Sequence, residues 1–82
     1  MTTVAIPSSL RAHCQHHEFV EVEAGSVRAV LGAMEARFPG FRAALGDSFA
    51  VAIDGEVFQD ALYEPVAADS EVHFLPALAG GR

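Results

Sequence analysis

The sequence predicts one α+β domain in which an amphipathic helix covers a mixed sheet of four or five strands. Three observations predict it. Phe19-Val20-Glu21-Val22-Glu23 alternates valine with glutamate, as a half-buried strand requires. Val27, Val30, Leu31, Met34 and Phe38 recur on a single helical stripe, with Arg28, Glu35 and Arg37 off it. Asp54-Gly55, directly after an apolar run, is a hairpin-turn dipeptide.

Taken in order, Thr3 to Ile6 form a short strand with Val4 and Ile6 on one face, stopped by Pro7-Ser8-Ser9. Leu10 to Glu18 is polar and histidine-rich and is expected as a solvated loop joining this strand to Phe19–Glu23 in a hairpin. Ser26 is an N-cap for the helix, and Pro39-Gly40 ends it. Phe41 to Leu45 add one further turn closed by Gly46. Phe49 to Ile53 and Glu56 to Phe58 flank the Asp54-Gly55 turn as two strands, and Asp60 to Ser70 is irregular. Glu71 to Leu75 is the last strand, with Val72 and Phe74 facing the core, and Pro76 ends its ladder. The order strand, strand, helix, strand, short strand, strand is β-grasp-like. Residues 1–76 form the body and residues 77–82 a flexible C-terminal tail.

Composition narrows the function. A domain of 82 residues cannot hold both a full core and a deep catalytic cleft. The net charge is -6, and the five basic residues are all arginines: Arg11, Arg28, Arg37, Arg42 and Arg82. With no basic cluster in the sequence, nucleic acid is not the expected partner; a basic protein groove fits better. Asp54, Glu56, Asp60, Glu64, Asp69 and Glu71 read as a solvated face that steers the domain toward such a groove. Cys14 is the single cysteine, so no internal disulfide forms. Neither a leader pattern nor a membrane span is present in the sequence, and a cytoplasmic location is expected.

The chain closes on Leu75-Pro76-Ala77-Leu78-Ala79-Gly80-Gly81-Arg82. Together with Ala24-Gly25-Ser26-Val27, Asp54-Gly55 and Ala68-Asp69-Ser70-Glu71-Val72, this ending resembles the ubiquitin-like sulfur carriers of the ThiS/MoaD family over essentially the whole length. The opening Ile6-Pro7-Ser8-Ser9-Leu10-Arg11 is more similar to the carriers of cysteine biosynthesis than to the molybdopterin synthase small subunit. The resemblance implies a carrier with no catalytic or metal-ligating residue of its own and no bound cofactor. A ubiquitin-activating-type enzyme would use ATP to adenylate the Gly81 carboxylate, sulfur would replace AMP, and the thiocarboxylate would serve a sulfur-accepting biosynthetic enzyme. Glycine suits this role, because Gly80-Gly81 lacks Cβ atoms and can thread a narrow channel.

Arg82 departs from the family pattern, since it occupies the position after the reactive glycine. The resemblance implies its removal by a metalloprotease of the JAMM type; a cloning remnant or a member that no longer accepts activation are the alternatives. The partner-binding residues implied are Leu75, Pro76, Ala77, Leu78 and Ala79, with Phe58 as a further member of an apolar patch; for Leu75 a plain core position is equally open. His13, Cys14, His16 and His17 are potential metal ligands, but adjacent His16-His17 do not readily point inward together, and a solvated loop with a spare thiol is the simpler reading. A molybdopterin synthase small subunit, a ubiquitin-like protein modifier and an interaction module with an inert tail stand as rival functions.

Overall fold

Short strands and two helices make up the regular elements among the described residues, and each buries one face against the others. The structure is a computed structural model and describes residues 1–46, 49–59 and 62–76, with the backbone alone for Pro76. The strands are β1 (Thr2–Ala5), β2 (Phe19–Val22), β3 (Phe49–Ile53), β4 (Glu56–Gln59) and β5 (Glu71–Pro76), and the helices are α1 (Val27–Arg37) and α2 (Phe41–Leu45). They form a five-stranded sheet in the order β2-β1-β5-β3-β4. Only the central β1–β5 pair is parallel; β1–β2, β5–β3 and β3–β4 are antiparallel. This is the β-grasp arrangement, with β1 starting and ending one residue earlier than the sequence predicts.

The core lies between the sheet and α1. Val4, Val20, Val51, Val72 and Phe74 from the sheet meet Val27, Val30, Leu31 and Met34 from the helix, and all are buried. Phe74 stands edge-on to both Phe41 and Phe49, with ring centroids 5.9 Å apart in each pair. Removing such a ring from a packed core costs about 3–5 kcal/mol.

The start of α1 shows how a seemingly irregular segment is used. Ser26 Oγ accepts from the Ala29 N–H at 3.2 Å, a side-chain N-cap. The N–H groups of Val27 and Arg28, which have no partner within the helix, donate to the carbonyls of Glu64 (3.0 Å) and Leu62 (2.8 Å). Ser26 also bridges to Pro65, and the Val66 N–H donates to the Gly25 carbonyl. Residues 62–66 therefore act as a lid on the helix N-terminus.

At its other end α1 turns sharply into α2. Gly40 adopts φ +94°, a conformation costly for residues with a Cβ, and a Cβ there would meet the His13 ring at 3.1 Å. The Glu35 carboxylate accepts from the Gly40 N–H (2.8 Å) and the Arg42 N–H (3.0 Å), tying the end of the first helix to the start of the second.

The segment from Leu10 to Glu18 corrects the expected solvated loop. It opens with a short 3-10 turn, Ser8–Leu10, and both Leu10 and Cys14 enter the core. The four-residue spacing of these two apolar side chains brings them to one side of a coiled backbone, and the Cys14 N–H donates to the Leu10 carbonyl at 3.2 Å. No helix among the described residues is long and apolar enough to cross a membrane.

Candidate docking face and tail exit

β5 occupies the centre of the sheet and carries the chain toward its C-terminus. Its pairing with β1 ends at Ala5↔His73, whereas its pairing with β3 continues through Leu75↔Ala50 to Pro76↔Phe49. The final three residues of β5, Phe74 to Pro76, are thus paired on one side only, because β1 ends at Ala5 and gives way to the 3-10 turn. Pro76 lacks an N–H, so no further ladder bond can be donated there. Ala77, Leu78, Ala79, Gly80, Gly81 and Arg82 lie outside the described residues.

The register also defines a second surface, the sheet face turned away from α1. One row across it reads Phe19, Ala5, His73, Ala52, Val57, from β2 to β4; the next row contains Leu75 and Ala50. Phe19 is 54% exposed, Val57 57% and Leu75 42%, so this face presents large apolar groups around a floor of alanines. Within it the His73 Nε2 lies 3.2 Å from the Glu71 carboxylate.

Two residues of the expected apolar patch are separated by the pleat. Leu75 lies on the open face, as a docking role needs. Phe58 pairs with fully buried Val51 and packs against the core on the opposite face, so the two do not share a patch. Phe19, Val57 and the alanine floor were not singled out by the sequence. Their signal is phase: Phe19 is out of step with Val20 and Val22, as Val57 is with Phe58.

Charge is distributed along the strands. Arg11, Arg37 and Arg42, with His13, His16 and His17, belong to the turn after β1 and the α1–α2 corner, at the end where β5 finishes. Asp54, Glu56, Glu64, Asp69 and Glu71 sit at the end where β5 begins. The acidic residues of the second half that the structure describes are therefore at the opposite end of the sheet from Pro76, where β5 finishes.

Cys14 is a free cysteine buried in the core, and that burial raises its thiol pKa. The His13 ring is bonded to the Pro39 carbonyl at 3.0 Å, and the His17 ring packs against Phe38. Among the described residues no three histidine, cysteine or acidic side chains converge to hold a metal ion.

The ThiS family model matches residues 5–81. No curated protein matches the chain in sequence. Among solved structures, the chain is similar to one in the Amycolatopsis orientalis BexX/CysO complex, with 29% identity over 99% of this chain and 100% of that one, and a TM-score of 0.86. Mycobacterium tuberculosis CysO is 26% identical over 95% of this chain and 100% of its own, with a TM-score of 0.83. SAMP1 from Haloferax volcanii, 22% identical over 98% of each chain with a TM-score of 0.79, shares the fold.

Proposed function

The chain belongs to the ThiS family, and from that premise we propose that it carries sulfur as a thiocarboxylate on Gly81. The observation that carries this reading is the extent of the family match, which runs through Gly80 and Gly81 and stops before Arg82. In the proposed cycle Arg82 is first cleaved away by a JAMM-type metalloprotease. A ubiquitin-activating-type partner then binds ATP, and a Gly81 carboxylate oxygen attacks the α-phosphorus, expelling pyrophosphate. Sulfide, or a persulfide sulfur of the partner, displaces AMP from the acyl adenylate; with a persulfide, a thiol must reduce the resulting acyl disulfide to free the thiocarboxylate. A cytoplasmic biosynthetic enzyme receives the sulfur for a metabolite or cofactor.

In this cycle the chain is a co-substrate rather than an enzyme, and its contribution is placement. The body presents the open sheet face, with Leu75 beside the strand end, while the tail reaches the partner's nucleotide. CysO is found in complex with BexX; a comparable association with a partner enzyme is proposed for this chain through Phe19, Ala52, Val57 and Leu75. Apolar docking supplies affinity without involving the reacting carbon.

The test is ATP–pyrophosphate exchange by the activating enzyme of the same cell, using the chain with and without Arg82. Exchange with the form ending at Gly81, and none with the form ending at Arg82, is expected. Equal exchange with both would remove trimming from the cycle, and exchange with neither would refute the carrier role.

A further inference from the structure

A second concave surface lies on the helix side of the sheet, at the end where β5 begins. It has a volume of about 460 Å³ and is lined by Ile53, Asp54, Glu56, Phe58, Val66 and Ser70, with Pro65 and Ala67 alongside. Its floor is apolar. Phe58 comes from the edge strand β4 and is only partly covered, while Val66 and Ile53 connect the floor to the core.

The polar groups near the floor are already paired. The Ala67 N–H donates to Ser70 Oγ (3.2 Å) and the Ser70 N–H to the Ala67 carbonyl (3.1 Å). Asp54 and Glu71 exchange two bonds, from the Glu71 N–H to Asp54 Oδ1 and from the Asp54 N–H to the Glu71 carbonyl, each 2.9 Å. The floor therefore asks for an apolar occupant, and the rim offers negative charge. Asp54 and exposed Glu56 lie on it, with Glu64 and Asp69 nearby in the loop before β5; the Glu71 carboxylate is on the other face of the sheet, beside His73. Among the described residues Arg28, in the first turn of α1, is the arginine at this end.

We propose that this groove is a second docking surface, which takes a cationic segment of a partner protein with an aliphatic side chain on the Phe58–Val66 floor and arginine or lysine against Asp54 and Glu56. Charge complementarity selects that occupant, and position gives it a use. The groove lies about 16 Å along β5 from the strand end that leads to the tail, taking roughly 3.3 Å per residue. A partner can hold the carrier there while Gly81 occupies an active site. The edge-strand setting suits an extended segment laid beside β4. This inference goes beyond the carrier reading and rests on it only for its purpose.

The experiment is an NMR titration of the 15N-labelled chain at low salt with an acetylated peptide of alternating leucine and arginine. Amide shifts confined to residues 53–58 and 66–71 are expected. They should weaken at least several-fold in Glu56→Arg and on raising the salt, and persist in Ala52→Glu, which alters the opposite face. Glu56 is exposed, so its reversal leaves the core intact. Absence of shifts, shifts centred on Phe19, His73 and Leu75, or an equal response to a leucine–glutamate peptide would overturn the proposal. Because the readout needs neither ATP nor Gly81, its failure is distinct from failure of the carrier role.

Discussion

Leu75 on β5 stands opposite Ala50 on β3, on the sheet face that α1 leaves open and one residue before the strand ends. Neither residue contributes to the hydrophobic core, since the inward positions on these strands are Phe74 and Val51. A charge placed on this face should thus spare folding and damage docking. Leu75→Glu and Ala52→Glu are expected to keep the native circular dichroism spectrum while raising the activating enzyme's KM for the carrier about tenfold or more, equivalent to roughly 1.4 kcal/mol. Unchanged KM in both variants would show that partners dock elsewhere.

Glu35 gives the fold a specific acid sensitivity. The Gly40 and Arg42 N–H groups bonded to its carboxylate hold its pKa below the usual carboxylate range, and the Glu71 N–H and the Ser70 side chain do the same for Asp54. A carboxyl whose pKa is lower folded than unfolded stabilises the fold above the unfolded value, near 4, and this contribution drains as pH falls through the folded value. Tm should therefore drop as the pH is lowered below the usual carboxylate range. Glu35→Gln should have a lower Tm at neutral pH and a shallower acid descent, measured by thermal melts across pH. Parallel curves for the two proteins would contradict this role.

Cys14 should behave as a core residue rather than a reagent. Its side chain is inaccessible and burial raises its pKa, so a water-soluble disulfide reagent is expected to label it at the rate of transient opening. Labelling should accelerate in denaturant and after Leu10→Ala, which loosens the same turn. Immediate labelling of the native protein, followed spectrophotometrically, would contradict the packing described.

Much of the fold is written locally. The α1 stripe, the Ser26 cap, Asp54-Gly55 and the two-residue period of Phe19 to Val22 each carry their conformation within a few neighbours. The docking face is not written that way. In Phe49-Ala50-Val51-Ala52-Ile53 every residue is apolar, so the segment reads as a strand without revealing which side is covered; alanine fits either. Only pairing with β5 puts Ala50 and Ala52 beside Leu75 and His73, and only pairing with β4 sends Phe58 to the other side. The turn after β1 misleads for a related reason: its histidines and glutamine dominate the composition, while Leu10 and Cys14, four apart, decide its packing. The diglycine was legible as chemistry alone, because a residue without a side chain says where a chain can go and nothing about what surrounds it.

The most direct measurement is the intact mass of the protein isolated from its native cell under high sulfur demand, compared with the same chain produced without its native partners. The account predicts loss of Arg82 and replacement of one oxygen by sulfur on Gly81. A full-length chain carrying an unmodified Arg82 carboxylate under those conditions would contradict it.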